Sequence, residues 1–140
     1  MEPTKAPQEM IKEYHFHTYW FLNDPVTESI AVDLFNQISL SNFGKPLRVN
    51  RSPVGPHPIG SFETWVPIEY FGEAYSFFTL NRKGLSVLLH PLTREEVKDH
   101  TERAMWMGAP MPLKVDQLTP LLDHVPAQYP ELGLGNSKKA

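Results

Sequence analysis

Cysteine is absent from the 140 residues. Disulfides, thiolate metal sites, iron–sulfur clusters and cysteine nucleophiles are therefore excluded. The redox compartment is left undecided, since a cysteine-free chain tolerates either. No run approaches the ~20 apolar residues of a membrane span. The stretch Met1 to Glu13 is broken by Pro3 and Pro7 and has no apolar segment of the secretory kind. The expected setting is cytoplasmic, with no membrane partner. A basic excess is missing as well. Thirteen basic against 16 acidic residues give a net charge of −3, which argues against a nucleic-acid partner. Internal repeats and low-complexity runs are also absent.

What is present is globular. Hydrophobic residues make up 41% and aromatic ones 11%, enough for a core and too much for a disordered chain. The length fits one domain. The 14 prolines are about twice the usual frequency of roughly 5%, so much of the chain must be loop, edge or extended coil.

Residues 1–12 read as a polar lead-in. Tyr14 to Leu22 alternates and is rich in aromatic and β-branched residues, as a strand is. Asp24-Pro25 starts a helix over about 25–42, with apolar stripe Ile30, Ala31, Leu34, Phe35 and Ile38. Short strands are expected at Leu47–Asn50, Phe62–Tyr70, Tyr75–Leu80 and Leu85–His90, with Asn81 to Gly84 as a hairpin turn. Thr93-Arg94-Glu95-Glu96 is a capping box that should open a second helix over about 94–107. Residues 13–110 thus form an α+β domain, an antiparallel sheet with two helices on one face. Residues 111–140 form a proline-rich tail able to wrap the domain or a partner. The second sheet face is expected to be open, or covered by a C2-related copy of the chain.

The six histidines carry the chemistry. His15 and His17 share a strand face with Tyr19, while Tyr14, Phe16, Thr18 and Trp20 point the other way. His57 is held between Pro56 and Pro58, which leaves it few backbone states. His90 ends a strand before Pro91. Glu63, six residues after His57, can add a carboxylate on the same face. Two histidines and a carboxylate suit non-haem iron(II), and three histidines with a water suit catalytic zinc. The preferred ligands are His17, His57 and His90, with Glu63. His15, His57 and His100 are the candidate acid–base groups. Each has a plainer reading: sheet-surface, loop, strand-end or helix-packing histidines with no ligand role. His124 is expected to be solvated.

Four separated segments occur in an order that resembles one family. They are Tyr14-His15-Phe16-His17-Thr18-Tyr19, Gly55-Pro56-His57-Pro58-Ile59-Gly60-Ser61-Phe62-Glu63, Ser86-Val87-Leu88-Leu89-His90-Pro91-Leu92-Thr93, and Asp99-His100-Thr101 through Ala104, Trp106 and Gly108. Over about residues 13–110 the chain is similar to the small fungal and bacterial DOPA 4,5-dioxygenase family. The resemblance implies a ferredoxin-like fold, a homodimer, iron(II), and opening of a catechol ring by dioxygen. A plain βαββαβ fold has fewer strands than the chain offers, and no final strand is legible after the second helix. Tyr19 and Trp65 are expected to line a ring pocket. Arg48, Arg51 or Arg82 is expected to hold a substrate carboxylate. Two other functions use the same residues: a zinc-dependent hydrolase, and a non-catalytic dimeric binding module.

Overall fold

The computed structural model describes residues 10–47 and 49–139. Five strands form one antiparallel sheet: β1 (Glu13–Trp20), β2 (Lys45–Pro46), β3 (Gly60–Pro67), β4 (Val87–Pro91) and β5 (Met105–Met107). Three helices accompany them: α1 (Pro25–Ser39), α2 (Phe71–Asn81) and the short α3 (Glu96–His100). The sheet order is β2-β3-β1-β4-β5. β1, α1, β2, β3, α2 and β4 make the ferredoxin-like arrangement, to which β5 adds one edge strand.

α1 forms where the sequence marks it. Asp24 accepts from the backbone N–H groups of Val26 and Thr27, and Pro25 occupies the first turn. Its buried face is Ala31, Leu34 and Ile38. β1 is central and pairs with β3 on one side and β4 on the other. Its even residues Phe16 and Trp20 join Phe62, Val66, Val87 and Leu89 of the neighbouring strands in the core. The burial of these large side chains stabilises the fold, at roughly 1.5–3 kcal/mol each.

Three local expectations are corrected. Tyr75–Leu80 is not a strand. It lies within α2, because Phe71, Ala74 and Phe78 recur at helical spacing, and Phe71 and Phe78 pack on Phe16. The second helix on the core face is therefore α2 and not a helix over 94–107. The capping-box segment instead makes only α3. Thr93 does not cap it: the N-cap position is Glu95, and the Thr93 hydroxyl accepts from the Glu95 N–H ahead of the helix. Beyond His100 the chain turns, and Met105–Met107 pairs with Val87–Leu89. That pairing satisfies backbone groups that β4 would otherwise leave bare. The strand expected at Leu47–Asn50 is displaced to Lys45–Pro46, with Asn50 making an isolated bridge to Ser61.

The sheet face opposite α1 and α2 is not left open. The segment after Met107 folds back over it. Tyr129 packs on Trp65, and the backbone N–H of Asn136 donates to the buried Glu13 carboxylate at 2.8 Å. Gly135 is positioned so close to Glu13 that a Cβ would meet its Cγ at 2.6 Å, and its φ is +58°. Glycine suits both demands. Among the described residues no helix is long and apolar enough to cross a membrane.

Phe78 is fully buried and stacks on Phe16, with ring centroids 4.8 Å apart. Phe78→Ala should cost about 3–5 kcal/mol, a large share of an ordinary domain's roughly 5–15 kcal/mol. Urea unfolding measures it. A loss below about 1 kcal/mol would mean that α2 is not a core helix.

Candidate metal centre

Strand alternation builds the centre from β1 outwards. His15, His17 and Tyr19 stand on the face away from α1 and α2. In register, β3 places Trp65 opposite His15, Glu63 opposite His17 and Ser61 opposite Tyr19. β4 places His90 opposite His15. Directly paired residues share a face, so three histidines meet without any special loop. Ligand atoms of His15, His17 and His90 all lie within 4.8 Å of one another.

Two further imidazoles flank this trio. His57 comes from a turn in which its backbone and that of Val54 bond reciprocally, at 2.9 and 3.2 Å. Its ring centroid is 4.2 Å from that of His17. His100, from α3, lies 3.9 Å from His90, centroid to centroid. The Pro-flanked loop and the strand-end histidine therefore reach one place, and so does the helical one.

Backbone carbonyls fix two of the rings. His90 Nδ1 is 2.8 Å from the Pro91 carbonyl oxygen, and His100 Nδ1 is 2.8 Å from that of Glu96. A carbonyl can only accept, so each Nδ1 carries the proton and each Nε2 carries a lone pair. His90 Nε2 faces His17 Nε2 at 3.0 Å, so His17 donates there when no cation intervenes. Tyr19 OH and His57 Nδ1 are 2.6 Å apart.

Charge is disfavoured at His17, His57, His90 and His100. Burial, reinforced by the other imidazoles, holds His17 and His90 well below the ordinary histidine range. The same causes lower His57 to about 4 and shift His100 downward. Burial also raises the Tyr19 phenol above its usual range. Neutral imidazoles are the form that binds a divalent cation, and the His90 Nε2 lone pair already points at the His17 ring.

Glu63 is placed beside the trio rather than inside it. Its Oε1 is 3.2 Å from His15 Nδ1, and its Oε2 accepts from the Gln128 amide at 2.9 Å. The Gln128 carbonyl accepts in turn from His15 Nε2. Gln128 and Tyr129 escaped the sequence reading because the tail has no period, and Gln128 is 113 positions from His15. Glu13 was also missed, although it shares strand parity with His15, His17 and Tyr19.

Trp65 is on the same face, but it does not line a ring pocket beside the histidines. Its Nε1 donates to Glu13 at 2.9 Å and Tyr129 covers its ring. A cleft of about 350 Å³ instead lies beside His17 and His57, with Glu63 and Ser61 on its polar wall and Leu47, Val54 and Pro56 on its apolar one. Arg51 is ion-paired with Glu28 of α1, and Arg82 donates to the Leu85 carbonyl. Neither lines the cleft, so neither is placed to hold a carboxylate there. Arg48 lies outside the described residues. His124 is exposed.

The fold and this cluster define a small α+β protein with a histidine-rich, cation-competent face. The chain matches the Dopa 4,5-dioxygenase family over residues 14–117 and belongs to it. It is 45% identical over 136 residues to a DOPA 4,5-dioxygenase of Amanita muscaria, covering 93% of this chain. It is 36% identical over 112 residues, 71% of this chain, to an uncharacterised 21.2 kDa protein of Botryotinia fuckeliana. The chain spans 60% of the length of each of these curated relatives. A solved structure of a candidate dioxygenase from Nostoc punctiforme PCC 73102 has the same fold, with TM-score 0.73 and 27% identity. The alignment covers 81% of this chain and 96% of that one.

The depressed histidines make metal-free protein acid-sensitive. An unfolded His57 takes up a proton near pH 6.5, and the folded one only near about 4. Between those values the unfolded state holds more protons, so stability rises with pH and is lost as pH falls. His57 alone accounts for a loss on the order of 3 kcal/mol across that window. Thermal melts in chelator from pH 7.5 to 4 should show Tm falling, and His57→Gln should flatten the fall. A Tm indifferent to pH would contradict the buried, neutral cluster.

Proposed function

We propose that this protein is a non-haem iron(II) extradiol dioxygenase that opens the ring of DOPA or a related catechol with dioxygen. One observation carries the reading. The buried His17 and His90 bring their Nε2 atoms to 3.0 Å with His15 alongside, and family membership supplies the chemistry. Sequence spacing favours His17, His57, His90 and Glu63 as ligands; the geometry favours His15, His17 and His90.

In this reading His15, His17 and His90 hold the ion. Glu63 accepts from His15 Nδ1 and orients that ring, as a carboxylate behind a ligating imidazole does; the ion would take His15 Nε2 in place of its proton, displacing the contact that nitrogen makes with the Gln128 carbonyl. The Pro91 carbonyl does the same for His90. Iron(II) bound there supplies the one-electron chemistry that allows dioxygen to react with a catecholate. His57 borders the cleft and is neutral at ordinary pH, with Nδ1 engaged by Tyr19. Its Nε2 takes a catechol proton as the substrate enters and returns it later. His100, its Nε2 lone pair fixed by the Glu96 carbonyl, is the second acid–base group. Leu47, Val54 and Pro56 exclude water from one side of the ring. The C2 homodimer belongs to the same reading and is supported by the family resemblance. Its earlier reason, an uncovered sheet face, is gone because the chain's own tail covers that face.

Anaerobic reconstitution with iron(II), followed by oxygen-electrode assay on a catechol panel, tests the proposal. Stoichiometric oxygen uptake with a ring-opened product is expected. His17→Ala and His90→Ala should lose bound metal and fall to background. Glu63→Gln should weaken metal binding by about 10–100-fold. Protein that retains zinc and consumes no dioxygen on any catechol would overturn the reading in favour of a hydrolase. Protein that takes up no metal would favour a binding module.

A further inference from the structure

The tail touches the histidine cluster through one side chain. Between Leu122 and Gly135 it runs over the sheet as a strap pinned at both ends. At one end the Leu122 N–H donates to the Arg94 carbonyl at 2.7 Å, and Arg94 Nε donates back to the Leu122 carbonyl at 2.8 Å. At the other end the N–H groups of Gly135 and Asn136 donate to the carboxylates of Glu69 and Glu13, at 3.0 and 2.8 Å. Between these pins, among the described residues, Gln128 makes the strap's hydrogen bonds to the sheet, and Tyr129 rests on Trp65.

The Gln128 amide is oriented by what it meets. A carboxylate can only accept, so the amide nitrogen faces Glu63 Oε2, at 2.9 Å. The amide oxygen is thereby turned to His15 Nε2. Rotating the amide by half a turn would set its oxygen against the carboxylate. While Nε2 donates to Gln128 it has no lone pair for a cation. The other ring nitrogen, Nδ1, is engaged by Glu63 Oε1 at 3.2 Å. His15 is thus in place beside His17 and His90, yet closed. The side chains of His15 and Glu63 are 13% and 20% exposed, so water can take over the contacts that Gln128 gives up.

We infer that Gln128 is a gating residue of the metal centre: its carbonyl keeps His15 Nε2 closed to a cation, which binds there by displacing it and so loosens the strap. The inference rests on the metal-dependent dioxygenase reading and adds to it a control on cofactor loading. Coupling of this kind is reciprocal. Whatever removes the Gln128 contact favours the cation, and the cation weakens the Gln128 contact by the same factor. The contact is a hydrogen bond between partly exposed groups, which sets that factor at about 3–10-fold.

Zinc(II) is the probe, with its affinity read by competition against a chromophoric chelator. Gln128→Leu keeps much of the side chain's size and removes both amide contacts. It should bind zinc about 3–10-fold more tightly than the parent. Gln128→Ala should behave alike, which guards against a packing effect particular to leucine. A second measurement needs no variant: NMR relaxation of the Gln128 side-chain amide should show greater mobility with zinc than without it. Equal or weaker zinc binding by both variants, or an amide that zinc leaves unchanged or holds more firmly, overturns the inference. Oxygen uptake by iron-loaded protein is read separately. Uptake on a catechol without the gain in zinc affinity overturns the gate alone. A gain in affinity without uptake on any catechol supports the gate and overturns the dioxygenase reading instead.

Discussion

The register of β1 between β3 and β4 is the constraint on which the rest depends. A strand has a side-chain period of two, so a slip of one residue exchanges its faces. In the observed register His15 sits between Trp65 and His90, and His17 between Glu63 and Leu88. The slip would send Phe16 and Trp20 to the histidine face and the imidazoles into the core under α1 and α2. The buried aromatic residues thus enforce the register, and the register assembles the cluster. Core packing and site geometry are one problem in this fold.

Burial then sets the chemistry of the assembled groups. Burial and the neighbouring imidazoles disfavour charge on His17, His57, His90 and His100. The carbonyls of Pro91 and Glu96 settle which nitrogen of His90 and of His100 carries the proton. A cation at the centre would replace a 3.0 Å contact between two nitrogens with bonds that both lone pairs favour. Acid sensitivity without metal and competence to hold a metal would both follow from the same desolvation.

The tail gives the site a second layer. Gln128 uses both ends of its amide, accepting from His15 and donating to Glu63. Tyr129 lies on Trp65, and Asn136 satisfies Glu13. These contacts explain why Trp65 is a structural ring rather than a wall of the cleft. They also explain how buried carboxylates such as Glu13 are tolerated, since each meets a donor.

Much of this was legible in the residues alone. Alternation from Tyr14 to Trp20 separated the histidine face from the core face, and Asp24-Pro25 marked α1. The rigid His57 loop and the strand-end His90 marked themselves through their prolines. These features are local, written in spacing and backbone restriction, and a reading along the chain can find them. α2 was misread because a window opened at Tyr75 misses Phe71 and Ala74, the residues that complete its helical stripe. The short α3 and the strand β5 were decided by the bare edge of β4, which no local pattern reveals. The choice of His15 over Glu63 beside His17 and His90, and the arrival of Gln128 from the tail, depend on contacts across tens of residues. Local chemistry determined which groups were available and which face they shared; only the tertiary fold decided which of them meet, because that depends on strand register and on how a patternless tail packs.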